Sequence, residues 1–365
     1  MKTILNPMKM HHSRKIFLAF LLIFAGLSSG VWARQKLTTT GFTDREVRVT
    51  SALSNVELAG TLSVPTGKGS HPAILLITSA GGQTRDQVVS GVPMFRIIAE
   101  HLANNGLAVL RMDDRGVGKS TGPSVWDSTT EEKAIDMLSC IKFLKKQPEI
   151  DSKRIGLVGH SEGAMVAPMV ALQEPDILFV VLLGSPGVSG EEIWNRQQNE
   201  GAKQRTNNES VLKALETERR KMIVFIRSGK NDDDTFYRLG HDYFAAFRMP
   251  ESANTKQLTD ENFGFLRKKW FAFFFGYNAA ENLKKLRTPT LLIAGSADEQ
   301  VGLEQNLGPI SLAMIESKNT DFAIVILPKQ GHFFLVQENA SKAATLVLSP
   351  SLLDTVSNWV QRQIK

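Results

Sequence analysis

The sequence predicts an α/β protein with a mostly parallel central sheet, helices on both of its faces and one helical insertion. Three observations carry that prediction. Short apolar runs rich in β-branched residues recur through the chain, at residues 72–78, 106–112, 154–160, 178–184, 289–295 and 322–327. Such runs fit strands buried on both faces, as parallel sheets require. Longer amphipathic patterns lie between them, for example residues 95–106 (FRIIAEHLANNG) and 134–147 (AIDMLSCIKFLKKQ), so strand and helix alternate. The alternation lapses once, over residues 187–286, where charged helical patterns replace buried strands.

Taken in order, the first 33 residues read as an export signal. Lys2, Lys9, Arg14 and Lys15 precede the uncharged run IFLAFLLIFAGL, and Val31-Trp32-Ala33 supplies a small-residue cleavage site after Ala33. An uncleaved anchor over the same apolar run is the alternative reading. The chain carries 43 basic and 37 acidic residues; this segment holds four of the basic ones and none of the acidic, leaving 39 against 37 and a net charge of +2. Nothing in that balance suggests a nucleic-acid partner. Cys140 is the only cysteine, which excludes an internal disulfide and a cysteine-rich metal site, and no His, Asp or Glu cluster has metal-ligand spacing. No cofactor is implied. After removal of the leader the chain needs no membrane insertion.

The mature chain opens with two alternating segments, residues 46–50 (EVRVT) and 56–64 (VELAGTLSV), expected to form an antiparallel pair with one polar face. The core then runs from residue 34 to 186, the insertion from 187 to 286, and the second part of the core from 287 to 365. Within the insertion the runs ETERRK (216–221) and KNDDD (230–234) read as solvated faces. The aromatic stretch 263–277 (FGFLRKKWFAFFFGY) reads as packing of the insertion's own core, an acyl-binding lid being the alternative.

The loop DDRGVGKS, residues 113–120, ends in a Gly-Lys-Ser suited to nucleotide phosphates. A phosphate-binding loop needs a glycine five residues before Gly118, and that position is Asp113, whose carboxylate would repel phosphate. A nucleotide partner is therefore not expected, and the loop calls for another explanation.

Chemistry concentrates at Gly159-His160-Ser161-Glu162-Gly163, a G-x-S-x-G pentapeptide placed between a buried strand and an apolar helix. In that context the glycines permit a tight turn that lifts the Ser161 hydroxyl above the sheet at a helix N-terminus, so Ser161 is the candidate nucleophile. It needs a base. With the leader set aside, five histidines remain: His71 precedes a strand, His101 sits in a helix, His160 adjoins the serine and His241 lies in the insertion. Only His332 stands in a loop beyond a late buried strand. The orienting acid is Asp298, delivered after the strand 289–295, with Glu299 as the neighbouring alternative.

These residues resemble the α/β-hydrolase superfamily, and within it the secreted serine aminopeptidase-like and dienelactone hydrolase-like enzymes. The resemblance covers residues 72–190 and 288–365. It rests on SAGGQTRD (79–86), DDRGVGKS (113–120), GHSEG (159–163), GSADEQV (295–301) and Gly331-His332, in the chain order Ser161, Asp298, His332. It implies that DDRGVGKS braces the active-site floor, with Asp113 and Arg115 pairing locally and Lys119 facing solvent. It implies an oxyanion hole made by the Glu162 N–H and by Ala80 or Gly81, although Ser79 and Gly82 depart from the residues relatives carry there. The Glu162 side chain either tunes the pocket or faces water. The expected activity is hydrolysis of small or medium acyl esters by an exported, cofactor-free serine hydrolase. A peptidase acting on short peptides, or a catalytically silent binding protein, are the alternatives.

Overall fold

The computed structural model describes residues 41–53, 55–250, 253–338 and 345–365. The proposed leader and its cleavage site lie outside them. The strands are β1 (Phe42–Thr50), β2 (Glu57–Pro65), β3 (His71–Ile77), the short hairpin β4 (Val88–Val89) and β5 (Val92–Pro93), β6 (Ala108–Met112), β7 (Ile150–His160), β8 (Phe179–Leu183), β9 (Thr290–Gly295), β10 (Phe322–Leu327), and the terminal pair β11 (Leu335–Gln337) and β12 (Leu346–Leu348). Eight of them form one sheet in the order β1-β2-β6-β3-β7-β8-β9-β10. The first two neighbouring pairs are antiparallel and the remaining ones parallel.

Alternate residues of each central strand feed opposite layers, because successive side chains in a strand point to opposite faces. Leu75, Leu157 and Leu182 pack with α2 (Thr130–Leu144) and α3 (Glu162–Gln173). Ile74, Val158 and Val181 pack with α1 (Met94–Asn104) and the C-terminal helix, whose last turns bring Trp359 edge-on to Phe179. Gly156 sits opposite Phe179 across the β7–β8 pair, and a Cβ there would stand 2.2 Å from the phenyl ring. Bulk on one strand is matched by its absence on the next.

Two expectations about strands need correction. β2 has no solvated polar face: seven of its nine residues are buried, and its polar Thr61 and Ser63 are covered, Thr61 accepting from Arg85 and Ser63 donating to Asp44. β10, expected to be buried on both faces, is the sheet's far edge and only half covered, with Ile326 41% exposed.

Between β8 and β9 the chain is helical: α4 (Gly190–Lys203), α5 (Glu209–Arg227), α6 (Asp233–Ala246), α7 (Thr255–Phe263), α8 (Lys269–Gly276) and α9 (Ala280–Leu283). After β9 come α10 (Leu303–Glu316) and α11 (Pro350–Gln363). α4 starts where it does because Ser189 and Glu192 form a reciprocal capping box. The aromatic stretch 263–277 packs inside this helical layer, where Phe263, Trp270, Phe271 and Phe275 join Trp194, Phe236 and Phe244 in a core separate from the two beside the sheet. The charged run 216–221 is not wholly a solvated face. Arg219 falls on the buried stripe of α5 with Leu215, Met222 and Ile226, is 1% exposed, and hydrogen-bonds Asn199. Burial pushes its pKa down.

Candidate active site

β7 ends at His160, and α3 begins at Glu162, so a single residue makes the turn between them. That residue, Ser161, has φ 56° and ψ −113°, a left-handed conformation that costs about 1–3 kcal/mol in a non-glycine residue and persists only when the surroundings impose it. They do so by two backbone bonds, Ser161 N–H to Leu183 O at 2.8 Å and Ala164 N–H to Ser161 O at 2.9 Å. The flanking glycines are required sterically: a Cβ on Gly159 would meet the Gly163 carbonyl oxygen at 2.1 Å, and one on Gly163 would meet the Ile77 oxygen at 2.0 Å. The elbow is thus pressed against the end of β3, where the Ala80 loop begins.

Asp298 and His332 come to the same edge of the sheet from the loops after β9 and β10. His332 Nδ1 lies 2.8 Å from Asp298 Oδ2, both side chains being nearly inaccessible to solvent. The other carboxylate oxygen accepts the N–H groups of Gln300 (2.9 Å) and Val301 (2.7 Å), which fixes the plane of the group. Glu299, the neighbouring alternative, is exposed and engages the protein through its backbone carbonyl, which accepts from Arg196. Gly184, which follows β8, leaves the space the imidazole occupies: a Cβ there would lie 3.2 Å from His332 Nδ1 and Cε1.

His160 links this pair to the opposite loop. Ser79 N–H donates to Gln87 Oε1 at 2.8 Å, so the Gln87 amide nitrogen faces His160 Nδ1, 2.9 Å away. His160 Nδ1 is then the acceptor and Nε2 carries the proton, which is donated to His332 O at 2.9 Å. The ring is wholly buried, and desolvation together with the nearby His332 pushes its pKa down from 6.5 to about 3. A neutral imidazole therefore ties the loop after β3 to the backbone of His332.

Glu162 does not face water. It is buried, and its Oε1 accepts from Thr130 Oγ1 at 2.7 Å and from the Trp270 indole N–H, while Oε2 lies 3.6 Å from Lys133 Nζ. Trp270 belongs to α8, so the helical layer is anchored on the residue next to Ser161. Lys268–Asp127 and Lys269–Glu132 ion pairs, and Phe271 stacked on Trp126 at 5.6 Å, extend that seam. Gly81, at φ 85°, lets the loop pass under the same Trp126 ring, 3.5 Å from where its Cβ would be.

The Gly-rich loop is folded round an anion of its own. Asp113 accepts from the Lys119 N–H (3.0 Å) and the Arg85 N–H (2.9 Å) and pairs with the Arg85 guanidinium at 2.8 Å. The expected Asp113–Arg115 pair does not form. Arg115 turns instead to α2, to Asp136 (2.8 Å) and the Glu132 carbonyl (2.9 Å), and Gly116, at φ 67°, makes the turn that follows it. Lys119 is 64% exposed and pairs with Glu46. Below the Ala80 loop it is Asp114 that braces, accepting from Thr78 Oγ1 (2.6 Å) and the Gln83 N–H (3.1 Å). Burial pushes its pKa up.

Periodicity and motif spacing did not single out Gln87 or Lys133, and Trp270 was marked only as part of the aromatic stretch 263–277. Lys133 left a trace of its own: it interrupts the apolar stripe of α2 formed by Ala134, Met137, Ile141 and Leu144. Among the described residues no group of three or more His, Cys, Asp or Glu is placed to hold a metal, and no helix is long and apolar enough to cross a membrane.

The parallel sheet, the strained serine elbow and the Asp–His pair beyond the following strands define an α/β-hydrolase. The model of the X-Pro dipeptidyl-peptidase (S15) family matches residues 54–308, and the chain belongs to that family. Esterase EstD of Thermotoga maritima is 31% identical over 171 residues, which are 46% of this chain and 40% of that protein. The chain thus spans less than half of that relative's length. A 2-hydroxy-6-oxononadienedioate/2-hydroxy-6-oxononatrienedioate hydrolase of Cupriavidus pinatubonensis is 27% identical over 249 residues, 66% of this chain and 75% of the relative. Among solved structures, the α/β hydrolase GrgF from Penicillium superposes with a TM-score of 0.55 at 16% identity, covering 88% of this chain and 99% of GrgF, a likeness of fold.

Proposed function

We propose that this protein is an exported serine hydrolase that cleaves carboxylic esters of small or medium acyl groups through an acyl-enzyme on Ser161. The observation that carries the reading is the 2.8 Å contact between His332 Nδ1 and Asp298 Oδ2 at the sheet edge where the strained Ser161 turn stands. With Nδ1 held by the carboxylate, Nε2 is the nitrogen left to accept the serine proton. Ser161 Oγ attacks the ester carbonyl as His332 takes its proton, and Asp298 stabilises the imidazolium. Collapse of the tetrahedral intermediate expels the alcohol, which leaves with the proton from His332. Water, activated by the same imidazole, then releases the acid. The N–H groups of Glu162 and of Ala80 or Gly81 serve the oxyanion.

Membership of an X-Pro dipeptidyl-peptidase family favours a second reading, a peptidase that takes short peptides from their N-terminus. Such an enzyme must hold a substrate ammonium, for which a free carboxylate near the nucleophile is the natural partner. The carboxylates beside the Ser161 turn speak for the ester: Glu162 and Asp114 are both buried and already hydrogen-bonded within the protein. A fluorophosphonate probe should label the wild type at Ser161, and Ser161→Ala should lose the label and at least about a thousandfold in kcat. An unlabelled, inert wild type would leave a silent binding protein. Faster turnover of X-Pro nitroanilides than of p-nitrophenyl esters would favour the peptidase. Export is tested by the N-terminal sequence of the protein recovered from the cell envelope, expected to begin just after Ala33.

A further inference from the structure

Lys133 stands on the buried stripe of α2 with its side chain only 10% exposed. An ammonium in that position is strongly unfavourable unless its donors are met. They are met in a particular way. Nζ donates to the carbonyl oxygens of Thr78 at 3.0 Å and Ser79 at 3.1 Å, lies 3.4 Å from the Asp114 carboxylate, and is 3.6 Å from Glu162 Oε2. Two of its four neighbours are thus backbone carbonyls of the loop that follows β3. A trans peptide points its C=O and N–H in opposite directions. The Ser79 carbonyl shares its plane with the Ala80 N–H, so holding the first on Lys133 sets the direction of the second. The preceding plane is held at both ends, its Thr78 oxygen by Lys133 and its Ser79 N–H by Gln87. Of the two carboxylate neighbours, Glu162 is the residue whose own N–H opens α3 beside Ser161.

We infer that Lys133 is a positioning residue for the oxyanion hole, holding the Ser79–Ala80 peptide plane and Glu162 in one arrangement so that the N–H groups of Ala80 and Glu162 converge on the substrate oxygen. The inference rests on the serine-hydrolase reading and selects Ala80 over Gly81 as the second donor. A lysine present only to neutralise Asp114 and Glu162 would affect stability and not the transition state. The two roles therefore separate in kinetics. Arg115 provides the comparison, since it lines the same small cavity with Lys133, Asp114, Glu162 and Trp270 yet bonds Asp136, Ser128 and the Glu132 carbonyl and neither loop carbonyl.

The experiment measures kcat and KM on p-nitrophenyl butyrate, and inhibition by an alkyl trifluoromethyl ketone whose adduct places an oxyanion in the hole. It is applied to wild type, Lys133→Met and Arg115→Met, with rates referred to the folded fraction. Removing one oxyanion donor costs about a hundredfold to a thousandfold, so a misdirected donor should cost roughly tenfold to a hundredfold. Lys133→Met is expected to lose that factor in kcat with KM changed less than about threefold, and to bind the ketone more weakly by the same factor. Arg115→Met should lower Tm but leave both kinetic quantities near wild type. Should Lys133→Met not fold, Lys133→Gln, which keeps a neutral donor on a shorter arm, is read the same way. Unchanged ketone affinity, a loss confined to KM, or an equal kinetic loss in Arg115→Met would overturn the inference. A wild type that neither turns over ester nor takes the fluorophosphonate label would instead overturn the hydrolase reading, and the inference with it.

Discussion

His160 offers a measurement of how tightly the site is sealed. Its ring is fully buried between the Gln87 amide and the His332 carbonyl, and its pKa falls from the ordinary 6.5 to about 3, with the neighbouring His332 adding to burial and Asp298 opposing it. Protonation would place a hydrogen on Nδ1, facing the Gln87 N–H, so the native state has a structural reason to stay neutral. Above pH 6.5 neither the folded nor the unfolded chain protonates this ring, and it has no effect on stability. Below that pH the unfolded chain takes up a proton that the native state refuses, so stability is lost at about 1.36 kcal/mol per pH unit until the folded value is reached. From pH 6.5 to 5 the loss is about 2 kcal/mol, and over the whole window about 4–5 kcal/mol. Urea unfolding of wild type and His160→Gln at pH 7 and pH 5 isolates the term, because every other ionisable side chain is common to both proteins. Wild type should lose about 2 kcal/mol more than the variant on acidification. Equal losses, within about 0.5 kcal/mol, would refute a buried neutral His160.

Asp298→Asn should lower kcat by about ten-thousandfold through loss of imidazole orientation, and Glu299→Gln by no more than a few-fold; ester assays that reversed the ranks would move the acid to Glu299. Gly163→Ala should either prevent folding or displace the elbow, since its Cβ would stand 2.0 Å from the Ile77 oxygen; a variant with wild-type Tm and fluorophosphonate labelling would contradict this packing. Lys119→Ala should leave ester turnover within a few-fold, while Arg115→Ala should cost about 3–5 kcal/mol by stranding Asp136, read as a fall in Tm. Detectable ATP binding by calorimetry that vanished in Lys119→Ala would restore the nucleotide reading of the loop.

What the sequence by itself determined is whatever depends on residues close together in the chain. The buried strands announced themselves as β-branched runs, and the Ser161 turn as a pentapeptide between a strand and a helix. His332 stood out because it alone followed a late strand. These are local signals, set by period, spacing and backbone freedom. Tertiary structure decided the partners. Asp113 and Arg115, two residues apart, have different partners because the fold brings Arg85 to one and α2, with Asp136, to the other. Asp298 meets the imidazole and Glu299 faces solvent because two N–H groups, from Gln300 and Val301, orient one carboxylate and not its neighbour. The polar positions of β2 are buried instead of solvated because Arg85 and Asp44, from other elements, cover Thr61 and Ser63. Lys133, Gln87 and Trp270 reach the elbow from positions 28, 74 and 109 residues away from Ser161 in the chain. The partners in such bonds carry no periodic trace, even where a residue such as Lys133 stands out in its own stripe, because they are chosen by the packing of the sheet's carboxyl edge and not by the residues on either side.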